Sequence, residues 1–201
     1  MSRWNEVPAL WPLLFVTACS GGRQTAVPPT ADSATVAAAR TAANALGADL
    51  MGLLTRELTR GGPPAAIAVC ADSAQQRTLQ HQRAGIQVRR VGTRVRNSAN
   101  APDSVERAVL AAFADDIRAG RTPTDTHLVV PAAGGGYELR YLRPVRIQEP
   151  CLACHGPASQ LAPEVRELLS TRYPGDQATG YAVGELRGAV SVRASLPSAV
   201  R

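Results

Sequence analysis

Three residues near the end of the chain could do chemistry together. Cys151, Cys154 and His155 form a C-x-x-C-H motif within the stretch EPCLACHGPAS. Two thiols at this spacing can add to the two vinyl groups of one haem, and the adjacent histidine can then bind the iron from the same face. The motif therefore predicts one covalent haem c per chain, with Cys151 and Cys154 as thioether donors and His155 as the proximal iron ligand.

Pairs of cysteines at this spacing also occur in zinc sites and in thioredoxin-like redox proteins. A zinc site needs further thiols or imidazoles at similar spacing, and the sequence has no second pair. A thioredoxin motif opens a helix after a strand near the start of a domain, whereas this motif comes late, between Pro150 and Gly156. Haem attachment is therefore the favoured interpretation.

The N-terminal segment has the layout of an export signal. Arg3 precedes an apolar stretch from Val7 to Val16, and small residues follow it. The stretch is shorter than the roughly 20 residues that a membrane-spanning helix needs, and two prolines interrupt it. We predict a lipoprotein-type signal peptide over residues 1–18.

Cys19 ends a V-T-A-C tetrapeptide that resembles a bacterial lipobox. Lipidation of its sulfur would anchor the mature protein to a membrane surface, and residues 19–30, rich in Gly, Pro and Thr, would form a flexible tether. By analogy with lipoproteins, Ser20 favours the outer membrane, so we expect the periplasmic face of the cell envelope. The alternatives are a plain secretory signal and a start codon placed too early.

Cys70 is left without a partner when the other three cysteines are assigned in this way. It lies in PPAAIAVCADSAQQRTL, where Ile67, Cys70 and Ala74 share one face of a predicted helix. That face is expected to point inward, towards any bound cofactor. The alternative is a buried thiol that acts as a small hydrophobic residue.

The composition indicates one globular domain. The 201 residues are 45% hydrophobic and 19% charged, which is too balanced for a disordered chain. All 22 basic residues are arginine, and the formal net charge is +6. Because these arginines are scattered along the chain, we do not expect nucleic acid to be a partner.

The pattern of apolar residues, caps and turns predicts an α+β domain over residues 31–201, with helices on one side of a mostly antiparallel sheet. Predicted helices cover residues 31–60, 63–85, 104–119 and 163–172. Predicted strands cover residues 86–97, 126–131 and 137–148, with two more around residues 184–188.

Four ordered motifs resemble a family of small exported c-type haem proteins, a domain-of-unknown-function family first recognised in cyanobacteria. The motifs are AIAVCAD, VRRVGTRVRNSANAPDSVE, YLRPVRIQEPCLACHG and GYAVGELRGAVSV. The resemblance covers roughly residues 31–194. It implies a PAS-like fold, with mostly antiparallel strands, long N-terminal helices and the haem held between the sheet and those helices.

The resemblance also implies unusual axial ligation, with histidine on one side of the iron and a cysteine sulfur on the other. Carried over to this chain, these ligands are His155 and Cys70. The chain departs from the family pattern at Ser98, where proline is common, and at Glu185, where aspartate is common. Both positions lie in predicted turns and bear on local geometry more than on haem attachment.

Other residues could replace Cys70 as the distal ligand, because methionine and histidine are the usual partners of a c-type haem. Met51 is predicted to fill the core beside the first helix. His81 lies about 16 Å beyond Cys70 on a continuous helix, and His127 stands at a predicted strand start. An open distal position is the remaining alternative.

Several arginines on what we predict to be adjacent strands could pair with the haem propionates. An exposed, charged strand face would explain the pattern equally well. The arginines are Arg89, Arg90, Arg94, Arg96, Arg140, Arg143 and Arg146.

Three functions fit such a protein. The first is a redox or gas-responsive sensor module with an exchangeable His/Cys-ligated haem, which would act through a separate signalling partner. The alternative is a low-potential electron-transfer cytochrome of the cell envelope with a redox partner. A haem peroxidase ranks last, because nothing in the sequence places an acid/base residue at the distal side.

Overall fold

The computed structural model describes residues 28–196, which form helices packed on one antiparallel sheet. The α-helices are α1 (Ser33–Gln80), α2 (Ser104–Arg118), α3 (Leu152–His155) and α4 (Pro163–Arg172). The strands are β1 (Ile86–Val91), β2 (Thr126–Pro131), β3 (Tyr137–Arg146) and β4 (Leu186–Ser195). Short 3₁₀ turns occupy Ser98–Asn100, Glu149–Cys151 and Ala158–Gln160. The predicted α+β class is confirmed.

Part of the prediction lies outside the described residues. This holds for the signal peptide over residues 1–18, for Cys19 and for the tether as far as residue 27. Within residues 28–196, no helix is both long and apolar enough to cross a membrane.

The helix α1 folds back on itself and forms two arms. Arg77 Nη1 donates a hydrogen bond to Asp49 Oδ1 at 2.8 Å, although a straight helix would separate residues 28 positions apart by about 42 Å. The helical path breaks at Gly61 and Gly62, where Gly62 has a φ of 69°. Residues 33–60 form the first arm and residues 63–80 the second arm, as the two predicted helices require.

The sheet has the order β1-β4-β3-β2, and all its pairings are antiparallel. The predicted strands over residues 126–131 and 137–148 are confirmed as β2 and β3, which pair with each other as a hairpin. The predicted strand over residues 86–97 ends earlier, at Val91. Beyond Val91 the chain forms a loop and the 3₁₀ turn Ser98–Asn100, which lead to α2. The two predicted closing strands are one strand, β4, because Gly188 lies within it.

Helices cover both faces of the sheet, so the prediction of helices on one side was wrong. The first arm packs Ala43 and Leu46 against Val190 and Val192 of β4. On the opposite face, α2 packs its Leu110 and Phe113 against Ala189, among others. Alternate residues of a strand point to opposite faces. The central strand β4 is therefore buried on both sides, with apolar residues facing the first arm and Ala189, Ser191 and Arg193 facing α2.

The predicted run of arginines on adjacent strands is also corrected, because β4 separates β1 from β3. Arg89 and Arg140 lie on the face that α2 covers, where they meet Glu106. Arg90 and Arg143 both stand opposite Val190, on the face that the first arm covers. Arg94 and Arg96 follow β1 in the loop before Ser98–Asn100.

Candidate functional site

The C-x-x-C-H motif forms a compact turn directly after β3. The 3₁₀ turn Glu149–Cys151 leads into the single-turn helix α3. Cys151 and Cys154 carry free, half-buried thiols, and the backbone N–H of Gln148 lies 3.4 Å from Cys151 Sγ. The structure thus keeps both predicted thioether donors available, with His155 at the end of the same turn.

His155 is held in one orientation by a backbone carbonyl. Its Nδ1 lies 2.6 Å from the carbonyl oxygen of Ala178. Because a carbonyl only accepts, Nδ1 carries the proton and Nε2 keeps its lone pair for a metal. Burial, together with the nearby Arg96 and Arg187, lowers the pKa of His155 to about 3. The imidazole is therefore neutral at neutral pH, the form that binds a metal ion.

Arg96 connects α3 to the loop that orients His155. Its Nη2 donates to the carbonyl of Cys154 at 2.7 Å and lies 3.4 Å from the carbonyl oxygen of Ala178. Its Nε donates to Asp176 Oδ2 at 3.0 Å. The edge of the Tyr181 ring packs against the His155 ring, with centroids 6.1 Å apart. These contacts restrict the histidine on several sides.

Cys70 lies on the second arm and faces the same region. Ile67 is buried in one cluster with residues of α4, and Cys154 packs against that cluster. Burial raises the pKa of the Cys70 thiol, while Arg90 and Arg96 lower it and Glu57 raises it. Burial raises the pKa of Cys154, Arg96 lowers it, and the charges of Cys70 and Cys151 raise it. The structure therefore brings the sulfur of Cys70 into the electrostatic range of the motif cysteines.

The rival ligands lie elsewhere. Met51 is 53% exposed on the first arm, so its predicted role as core filler was wrong. His81 caps the end of α1, and its Nε2 lies 3.1 Å from Asp49 Oδ2. His127 is exposed on the edge strand β2. Cys70 is therefore the candidate distal ligand that the fold favours.

Arg187 is a site residue that the sequence analysis missed. The β3–β4 register shifts at this point, where Val145 pairs with Gly188 and Arg146 pairs with Leu186. Arg187 is the extra residue of this bulge, and bulges redirect side chains. Its Nη1 donates to the carbonyl of Arg94 at 3.2 Å, and its guanidinium lies 5.8 Å from the Tyr181 ring centroid. The glycines flanking the closing segment were the available sign of a bulge.

The site has the donors that a c-type haem requires. Two free thiols and an oriented, neutral imidazole come from one turn, and a third sulfur on the second arm lies within electrostatic range of Cys154. Within residues 28–196, the hydroxyl of Tyr181 and the Nε of Arg90 are buried without a hydrogen-bond partner. No group of three or more His, Cys, Asp or Glu side chains within residues 28–196 is arranged to hold a metal ion.

The chain matches a known protein family over most of its length. The model of the Tll0287-like family matches residues 24–195. The chain belongs to the Tll0287-like family. This confirms the resemblance to a family of haem proteins first recognised in cyanobacteria. No curated protein matches the chain.

A solved structure has the Tll0287-like fold of this chain. It is the crystal structure of the cyanobacterial haem protein Tll0287, and it is 24% identical in sequence with a TM-score of 0.63. The match covers 85% of this chain and 100% of the other. At this identity the likeness shows that the two proteins share a fold.

Proposed function

We propose that this chain binds one haem c, attached through Cys151 and Cys154, with His155 and Cys70 as axial ligands. We propose that it acts as a redox or gas-responsive module. The observation that carries the proposal is the 2.6 Å contact between His155 Nδ1 and the Ala178 carbonyl, beside two free thiols. When bound, the haem would supply one-electron redox chemistry and a binding site for small gases. The PAS-like character of the domain remains a prediction from the resemblance.

The residues around His155 prepare it to act as a ligand. The Ala178 carbonyl accepts the Nδ1 proton, which makes the imidazole a better donor at Nε2. Arg96 holds this carbonyl and the end of α3 in one unit. Removal of either contact should loosen the ring rather than remove the haem.

The sulfur of Cys70 is suited to reversible binding. Burial raises the pKa of its thiol, so a sulfur that leaves the metal should take up a proton at neutral pH. Arg90 and Arg96 act in the opposite direction and favour the thiolate. This balance supports an exchangeable distal ligand, which is what a sensor needs.

The cellular setting is part of the proposal. Lipidation of Cys19 would hold the domain on the periplasmic face of the outer membrane, where c-type haem is attached and used. A separate redox or signalling protein would then receive the output. Globomycin treatment of cells should leave the precursor uncleaved, whereas the Cys19→Ala variant should carry no lipid at this position.

Covalent attachment is tested by the mass of the purified full-length protein, expressed with the cytochrome c maturation system. We expect one haem per wild-type chain. The Cys151→Ser/Cys154→Ser variant should have the mass of the bare polypeptide, because both thioether donors are gone. Cys19→Ala removes a cysteine outside the motif and should keep the haem. A colourless wild-type protein would refute the proposal.

The distal ligand and its exchange are tested by spectra of the holoprotein in both redox states. Cys70→Ala should change the ferric spectrum, because thiolate ligation is lost. Ala71→Ser is a control on the next residue of the second arm. Rapid carbon monoxide binding by the ferrous protein supports the sensor role. A reversible couple that retains both ligands and excludes carbon monoxide would support electron transfer instead.

A further inference from the structure

The candidate site holds more buried positive charge than the chain neutralises. Arg90, Arg96 and Arg187 lie within electrostatic range of one another, since Arg96 and Arg90 both lower the pKa of Arg187. Asp176 pairs with Arg96 at 3.0 Å. Within the described residues, Arg90 and Arg187 form no ion pair with a carboxylate.

Arg90 is the clearer of the two unpaired cations. It lies on the sheet face that the first arm covers, and it interacts electrostatically with Cys70 and Tyr173. Its Nε is buried and has no hydrogen-bond partner within residues 28–196. The same holds for the Nε of Arg89, Arg140 and Arg193, but those three side chains have carboxylate partners. Burial lowers the pKa of the Arg90 guanidinium. A buried charge without a partner is costly, so such a group indicates that a ligand normally faces it.

Arg187 is brought to the same region by the bulge in β4. Its neighbours there are a backbone carbonyl and the face of Tyr181, which compensate a cation only weakly. Burial lowers the pKa of Arg187 as well. Gly92 and Gly188 allow the close approach of β1 and β4, because a Cβ on Gly188 would lie 2.0 Å from the carbonyl oxygen of Val91. These two glycines thus allow the backbone path that positions Arg187.

We propose that Arg90 and Arg187 hold the two propionate carboxylates of the haem. This inference rests on the proposed function, because the porphyrin supplies the two anions. Arg94 also has no carboxylate partner within the described residues, but its guanidinium stacks on the Tyr181 ring, 3.8 Å from the centroid. Arg90 and Arg187 match two carboxylates in number and in charge, and guanidinium groups bind carboxylates with strong, directional hydrogen bonds. Of the seven arginines that the sequence analysis gave as possible partners of the propionates, only Arg90 is included in this proposal. Arg187 was not among the seven.

The test uses the full-length holoprotein and the variants Arg90→Gln and Arg187→Gln. Loss of a cation beside the propionates should lower the midpoint potential, because ferrous haem carries one negative charge more than ferric haem. The propionate band in the resonance Raman spectrum should shift in both variants. Arg90→Lys keeps the charge and should restore most of the potential but not the band.

Arg143→Gln is the matched control. Arg143 also stands opposite Val190 on the same face, but its Nη1 donates to Asn44 of the first arm at 2.9 Å. It should shift the potential less than the site variants and leave the propionate band unchanged. If Arg187→Gln does not mature, Arg187→Lys should mature and show the shifted band.

Two outcomes overturn the inference while the proposed function stands. One is a haem-loaded Arg90→Gln or Arg187→Gln protein with the wild-type propionate band. The other is a change of potential equal to that of Arg143→Gln. A wild-type chain without covalent haem would instead refute the proposed function, and the mass spectrum separates that case.

Discussion

The arginines on the two faces of the sheet differ in whether they have acidic partners. On the face that α2 covers, Arg140 is 3% exposed and contacts Asp103 at 2.6 Å, Glu106 at 3.3 Å and Glu138 at 3.1 Å. Arg193 also contacts Asp103 at 2.6 Å. On the other side, at the candidate site, Arg90 has no acidic partner within the described residues.

This difference separates charge that the chain itself neutralises from charge that we propose is neutralised by a ligand. The paired cluster begins at the N-terminus of α2, where Asp103 and Glu106 form a capping box. Glu106 is fully buried and also accepts a hydrogen bond from Ser191 Oγ at 2.8 Å. All these partners come from the chain itself. At the candidate site Asp176 pairs with Arg96, whereas Arg90 and Arg187 have no carboxylate partner within residues 28–196, as the proposed propionate contacts require.

Glu106→Gln should have the largest effect on stability. It leaves Arg140 buried with less negative charge around it, and we expect a loss of about 3 kcal/mol in the free energy of unfolding. Urea denaturation measures this loss. Asp115→Asn removes a carboxylate from an exposed pair with Arg118 on the same helix and should cost no more than about 0.5 kcal/mol. Equal losses in the two variants would contradict the assigned role of the buried cluster.

Gly188→Ala should have the next largest effect. The new Cβ would clash with the Val91 carbonyl, and Gly188 has a φ of 154°, so we expect a loss of about 2 kcal/mol. Gly134→Ala is the control, because a Cβ there meets no atom within 4 Å. Thermal unfolding compares the two variants. An unaffected Gly188→Ala protein would show that the close approach of β1 and β4 is not required.

Asp103→Asn should have a smaller effect at neutral pH, about 1 kcal/mol, because asparagine still caps α2 while the contacts to Arg140 and Arg193 lose their charge. Burial opposes ionisation of Asp103, but the Glu106 N–H and the two arginines outweigh it and lower its pKa. Because this pKa is lower in the folded protein than in the unfolded chain, the unfolded chain binds more protons as the pH falls through about 4. The free energy of unfolding of the wild type therefore decreases there. The variant should lose less stability between pH 5 and pH 3. Urea denaturation of both proteins at several pH values in this range measures the difference. An equal loss in the two proteins would contradict the role assigned to Asp103.

Much of the local structure could be predicted from sequence, because the signals are short-range. The helix α4 begins at Pro163 and ends at Arg172, as predicted. The helix α2 begins at Ser104, as predicted, and the break at Gly61 lies between the two predicted N-terminal helices. The C-x-x-C-H motif was recognised because its three residues lie close together in the chain. Its chemistry is a prediction that the proposed experiments test.

Residues joined only by the fold were not predictable in the same way. The Ala178 carbonyl that orients His155 lies 23 positions along the chain and has no side-chain signature. The redirection of Arg187 depends on how two strands pair at a bulge. Whether helices cover one face of the sheet or both depends on which residues of β4 each helix packs against. None of these relations has a fixed spacing that a pattern could detect.

The sequence by itself determined the reactive groups, namely two thiols and an imidazole at a spacing of a few residues, because covalent chemistry at one turn requires neighbours in the chain. The tertiary structure decided which charges are neutralised. It placed Arg140 among carboxylates and left Arg90 beside Cys70 without one, because burial and the distance between charges, rather than residue type, set the cost of an ionised group.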